Sequence, residues 1–146
     1  HGLRLAEGAD YRVERPAGRT NAGTYAYVVR GVNGFAGTSS ASFRIERAAN
    51  GMRVRKSTRK VAAARVARKK RVVRPLGVTG ASGRVRYRRL SKGSSKRLSV
   101  NRRTGKVTVR KGTKPGTYTV RIRVTAAGDA NHRAAAKTVT CKVVVK

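Results

Sequence analysis

Along most of this chain apolar and polar residues change places at every second position, as in Val107-Thr108-Val109-Arg110 and Tyr118-Thr119-Val120-Arg121-Ile122-Arg123-Val124. A period of two sends successive side chains to opposite faces of a pleated strand, so the pattern predicts strands with one aliphatic and one cationic face. In the first fifty residues it recurs three times. Residues 11–15 alternate and stop at the turn Pro16-Ala17-Gly18. Residues 24–30 follow Asn21-Ala22-Gly23 with Tyr25, Tyr27 and Val29 in phase and are broken by Gly31-Val32-Asn33-Gly34. Residues 40–46 turn Phe43 and Ile45 inward. Three strands make half a sandwich, too little to bury a core alone, so this segment is expected to be the end of a truncated domain or to lean on a neighbour.

After a short linker at 48–51 the same period continues for a stretch of sandwich size, with strands expected at 52–55, 59–63, 71–78, 84–90, 97–100, 106–110, 116–126 and 136–145. Turn signals separate them, among them Thr79-Gly80-Ala81-Ser82-Gly83, Asn101-Arg102-Arg103-Thr104-Gly105 and Lys111-Gly112-Thr113-Lys114-Pro115-Gly116. Residues 58–71 are ambiguous: Ala62-Ala63-Ala64 with basic flanks suits a helix by propensity, but the reading taken is strand or extended chain. The expected fold is all-β: an antiparallel Ig-like β-sandwich at 52–146, preceded by a partial β module at 1–47. Its inward set is Val107, Val109, Tyr118, Val120, Ile122, Val124, Val139, Cys141, Val143 and Val145.

One unit of pattern occurs twice. Ala22-Gly23-Thr24-Tyr25, a strand, a Gly/Asn turn and a closing strand return as Pro115-Gly116-Thr117-Tyr118, a strand, Gly128-Asp129-Ala130-Asn131 and a closing strand. The same hairpin therefore closes each segment. Both tyrosines open the core face, which makes them packing anchors and not platforms for a stacked ligand.

Charge changes the picture more than composition does. The chain carries Lys+Arg 37 against Asp+Glu 5, a net +32. Residues 1–50 hold seven Arg and four acids, a net +3, whereas residues 51–146 hold thirty basic residues against Asp129 alone, a net +29. The single cysteine excludes an internal disulfide, and Cys141 lies in the inward phase, as a buried thiol would. No stretch approaches the roughly 20 apolar residues of a membrane helix, so membrane insertion is not expected. The chain opens on His1, and it reads as a fragment of something longer.

Catalytic chemistry finds no footing. His1 and His132 are far apart and the five acids are scattered, so no metal set, paired carboxylates or Ser-His-Asp arrangement follows from spacing. Gly80-Ala81-Ser82-Gly83 and Gly93-Ser94-Ser95 are hairpin turns and not phosphate-cradling loops, because neither has the Gly-x-x-x-x-Gly-Lys-Ser/Thr form between strand and helix. Neither an enzyme nor a cofactor is expected.

The stretch from Lys106 to His132, in the order strand, Lys-Gly turn, Gly-Thr-Tyr strand and Ala-Gly-Asp-Ala-Asn turn, resembles the bacterial Ig-like or cadherin-like repeats of secreted and surface proteins of Gram-positive bacteria. Ala22 to Ile45 is similar to the ending of another surface module, the MBG-type repeat. Together the two cover about two thirds of the chain, and the C-terminal match is the more specific. His132 departs from a usual Tyr, Cys141 from a usual Val, and Arg replaces many Lys. The resemblance implies an extracellular structural or adhesion module at a bacterial cell surface or wall, monomeric within a longer multidomain chain. It implies no active site, and its cadherin-like name does not imply calcium, since a hard cation needs several carboxylates.

The basic surface holds the functional content. Arg84, Arg86, Arg88, Arg121 and Arg123 fall on outward phases, and Arg59, Lys60, Arg65, Arg68, Lys69, Lys70 and Arg71 crowd the stretch before them. So positive a field attracts polyanions with steep salt dependence. Anionic cell-wall polymers and host glycans are the expected partners. Two other readings stay open. The charge can simply keep an exported stalk soluble and its strand edges unpaired, or the chain can bind nucleic acid non-specifically inside a cell. Without Trp and with its Tyr in core phase, the chain offers no base-stacking reader for the latter.

Overall fold

The computed structural model describes residues 4–17 and 20–146, so Gly18 of the first expected turn lies outside the described residues. The chain divides into two compact units, His1–Ala48 and Ala49–Lys146. Asn50, inside the stretch expected as linker, is tied into the second unit. Its Nδ2 donates to the Ser82 and Arg133 carbonyls at 2.9 and 3.0 Å, and its Oδ1 accepts from the Ser82 N–H at 3.1 Å.

The first unit is a three-stranded antiparallel sheet of β1 (Tyr11–Glu14), β2 (Gly23–Gly31) and β3 (Thr38–Ile45) in the order β1-β2-β3. Tyr25 and Tyr27 alternate along β2 and stack on Phe43 of β3, with centroids 5.5 and 5.1 Å apart. None of its described residues is fully buried. Exposed pairs Arg15–Glu7, Arg30–Glu14 and Arg44–Glu46, at 2.9, 2.8 and 3.3 Å, set its acids against its arginines and add little stability.

The second unit is a sandwich. One sheet is β5 (Arg59–Val61), β12 (Ala135–Val145), β11 (Gly116–Ala126) and β8 (Val85–Leu90), ordered β5-β12-β11-β8. The other is β6 (Arg71–Val73), β10 (Val107–Val109) and β9 (Leu98–Val100), ordered β6-β10-β9, while β4 (Arg53–Lys56) pairs with β7 (Leu76–Thr79). The β11–β12 ladder sets the register: Tyr118 faces Val143, Val120 faces Cys141 and Ile122 faces Val139. The aliphatic phase of both strands meets Val107, Val109 and Leu98 from the opposite sheet in one core. All ten residues expected inward are in or against that core, with Tyr118 and Val139 half-buried. Burial pushes the Cys141 thiol up and keeps it protonated.

Three local expectations change. Residues 63–68 form a helix, α1 (Ala63–Arg68), where extended chain was expected. Tertiary contacts hold it: the Ala63 N–H donates to the Lys146 carbonyl, the Val66 carbonyl accepts from Gly112 at 2.9 Å, and Val66 is fully buried. The strand expected over 71–78 is cut at Arg74-Pro75 into β6 and β7, which join different sheets; proline has no N–H for a ladder. Finally, β5 joins β12 in parallel, an exception to an otherwise antiparallel fold.

The repeated Gly-Thr-Tyr unit has the same geometry in both places. Gly23 and Gly116 sit at φ 155° and 154°, each with the following tyrosine ring about 3.7 Å from where a Cβ would be. Tyr25 Oη donates to the Asn21 carbonyl at 2.8 Å and Tyr118 Oη to the Lys114 carbonyl at 2.7 Å, four residues back in each case. Each is a tyrosine pinning the corner from which its strand departs. Tyr118→Phe should keep the packing and lose that bond, costing about 1 kcal/mol, whereas Tyr118→Ala should cost about 3 kcal/mol. Thermal unfolding of the two variants measures the difference, and equal midpoints would place the ring outside the core.

Candidate polyanion-binding site

The fold separates the cations singled out in the sequence. β5 and β8 are opposite edges of one sheet, so Arg59 and Lys60 lie three strands away from Arg86 and Arg88. Arg65 and Arg68 stand exposed on α1, in its last turn, where the helix dipole favours positive charge. Lys69 caps that helix, with its backbone N–H on the Arg65 carbonyl, and Lys70 follows it exposed. Arg71 lies opposite Val109 in the phase of Val73 and is half-buried, so it does not join the exposed group.

On the other edge the register gathers cations. Arg88 of β8 lies directly opposite Arg123 of β11, and Arg86 opposite Thr125, which puts all four side chains on the outer face of the sheet. The turn after β9 closes the site: the Tyr87 N–H donates to the Arg102 carbonyl at 2.9 Å, so Arg102 is carried along the free edge of β8. Arg86, Tyr87, Arg88, Arg102, Arg123 and Thr125 thereby line a groove of about 630 Å³. Arg84, Arg86 and Arg103 line a smaller hollow of about 360 Å³, sharing Arg86 with it.

Sequence reasoning read Arg102 and Arg103 only as turn residues. The available signal was Asn101, whose Oδ1 accepts from the N–H groups of Arg103 and Thr104 at 2.9 and 3.0 Å and fixes the turn. Gly105 completes it at φ 70°, where a Cβ would meet the Tyr87 ring at 2.6 Å. That ring is packed beneath the turn and against the core.

Hydrogen bonding sorts the arginines into two kinds. Arg89, in the inward phase beside Tyr87, spends its guanidinium on the Leu98, Ser94 and Ser95 carbonyls at 3.0, 3.4 and 2.8 Å. Arg59 gives its Nε to the Arg74 carbonyl at 2.8 Å, and Arg121 reaches the Lys92 carbonyl at 3.3 Å. The guanidiniums of Arg84, Arg86, Arg88, Arg102, Arg103 and Arg123 have no hydrogen bond or ion pair among the described residues.

The second unit's one carboxylate is engaged elsewhere. Asp129 Oδ1 takes the His132 ring at 2.8 Å and the N–H groups of Asn131 and His132 at 2.9 and 2.8 Å. The bond from the His132 ring is the main reason its carboxyl lies below the ordinary carboxylate value, with the backbone N–H groups adding to it. Among the described residues no three of His, Cys, Asp or Glu converge as metal ligands would, and no helix is long and apolar enough to cross a membrane.

No family model and no curated protein matches the chain. Solved structures do. The protocadherin gammaB7 EC3-6 cis-dimer structure aligns with 97% of this chain and 40% of its own at 11% identity, with a TM-score of 0.53. Protocadherin Gamma B2 extracellular cadherin domains 3-6 align with 88% of this chain and 34% of their own at 17% identity and a TM-score of 0.51. The chain thus spans less than half the length of either. At such identities the likeness shows the fold: an all-β, cadherin/Ig-like sandwich.

Two outcomes test this geometry. Gly105→Ala forces a Cβ into both a left-handed backbone and the Tyr87 ring, so it should cost about 1–3 kcal/mol and disturb the Arg102 amide by NMR; an unchanged spectrum would refute the tight turn. A carboxyl whose pKa is depressed by folding stabilises above its unfolded value and loses that contribution as pH falls through the folded one. The 129–132 turn should therefore hold at neutral pH and loosen on acidification below the ordinary Asp range. Amide shifts of Asn131 and His132 that ignore this titration would contradict the Asp129 contacts.

Proposed function

We propose that this chain is a non-catalytic structural and adhesion segment of a bacterial cell-surface protein, the end of an MBG-type repeat followed by an Ig-like repeat. Its basic surface retains it on anionic cell-wall or host polymers. The observation that carries the reading is the row of unpaired guanidiniums on one exposed edge of a sandwich whose own carboxylate is committed to a turn. Arginines of purely structural use would be spent as Arg89 is, on carbonyls of the same chain. An extracellular setting is supported by the cadherin-like fold and by the surface-repeat patterns in the sequence.

Nucleic acid is the second reading, since phosphates answer the same cations. What weighs against a sequence reader is that Tyr87, the one aromatic residue at the groove, belongs to the inward phase of β8 and packs against the core.

Affinity for lipoteichoic acid, measured by titration at 50 and 200 mM salt, should fall by on the order of 10²–10³, the slope expected when about six phosphates are neutralised. An affinity that ignores salt, or no binding at low salt, would leave the charge as a solubility device only.

A further inference from the structure

We infer that the groove between β8, β11 and the 101–105 turn is a site for a polymer of tetrahedral oxyanion esters, phosphate or sulfate, that carries no bases. The inference rests on the polyanion reading above and narrows it to one place and one chemistry. Its ground is the composition and convergence of the groove. All its cations are arginines, Arg86, Arg88, Arg102 and Arg123, from two strands and a turn, and Thr125 adds a hydroxyl. Each guanidinium presents a planar fork of donors and sheds water more readily than an ammonium. The acceptor lone pairs of a carboxylate all lie in the plane of its two oxygens, so it takes planar forks within that plane. The oxygens of a tetrahedral ester accept from directions outside any single plane, so two forks can hold it from different sides at once, as the directly opposed Arg88 and Arg123 allow.

The layout also suits a repeating ligand. Arg86 and Arg88 stand two residues apart on a strand, about 7 Å, and the Arg84–Arg86–Arg103 hollow extends the row past Arg86. The cations run along the strand, matching a chain whose anions recur, where a single small anion would use one end only. The one aromatic residue at the groove, Tyr87, lies in the inward phase of β8 opposite Val124, with its ring against Gly105 and the core, so the outer face of the sheet offers the ligand arginines and Thr125. The site thus favours charge on a bare backbone over stacked bases.

Charge-preserving variants separate this groove from the general field. In the full chain, R88K/R123K keeps the net charge and removes the forks, while K60Q/K69Q removes two charges on the other side of the unit. All four positions are exposed, and unchanged melting curves confirm folding. At fixed salt, R88K/R123K should weaken binding of poly(glycerol phosphate) and of heparin by about tenfold, the loss of one charge-assisted contact, and leave poly-L-glutamate of matched charge unaffected. K60Q/K69Q should weaken all three alike and by less. Between the two ester polymers, the tighter one identifies the source as phosphate or sulfate.

The groove assignment is overturned if R88K/R123K binds as the parent does, or if poly-L-glutamate matches the esters. It is also overturned if poly(dT) exceeds poly(glycerol phosphate) by tenfold, which would mean that bases are read. Each of these leaves the polyanion reading standing. That reading fails separately if none of these polymers binds the parent chain even at low salt.

Discussion

Everything in the second unit depends on one ladder, the eleven paired positions of β11 and β12, in which one phase is dry and the other wet. Val120, Ile122, Val124, Cys141, Val143 and Val145 are essentially inaccessible, while Arg123, Thr138 and Lys142 on the alternate phase are exposed. A slip of one residue would exchange the two sets, burying guanidinium and wetting valine, so the register is strongly specified by solvation alone. Because that ladder is rigid, the cations of β8 and β11 have fixed neighbours. Arg88 faces Arg123 because Ile122 must face the core.

Such a surface works against its own folding. Like charges directly opposite on a sheet are unfavourable, and a net charge far from neutrality repels the compact state. The structure tolerates this because the clustered guanidiniums lie in solvent, where salt screens beyond about 8–10 Å. The first unit shows the alternative, with Glu7, Glu14 and Glu46 each set against an arginine. The two units thus treat the same residue type differently. In one, three arginines are each answered by a glutamate; in the other, Arg59, Arg89 and Arg121 spend their guanidiniums on carbonyls of the chain, and the six around the groove are among those left to an external anion.

Much of the fold was legible in the sequence because period two is a local signal. Strand β11 was read to its ends, β12 to within one residue, and the inward set of ten was recovered, since each depends on neighbours two positions away. The unread parts depend on distant residues. Ala62-Ala63-Ala64 suits helix and strand alike, and only the Lys146 and Gly112 partners with the pocket for Val66 make 63–68 helical. Arg89 stands one residue out of phase with outward Arg88, and only the fold brings it the carbonyls of Ser94, Ser95 and Leu98 that take up its charge.

The candidate site divides in the same way. Its chemistry was in the sequence: an excess of arginine, alternation that exposes it, and too few acids to neutralise it. Its location was there in part: Arg86, Arg88 and Arg123 were among the outward cations, but the crowded run at 59–71 looked the denser site, and the fold spreads that run over a strand edge, a helix and a half-buried phase. The groove arose instead where Arg102, fourteen residues from Arg88, was hydrogen-bonded onto the edge of β8. Alternation along a strand determines which face a side chain takes. Which faces and turns come to lie side by side is decided by long-range hydrogen bonds and by the packing of the two sheets, whose partners no local period encodes.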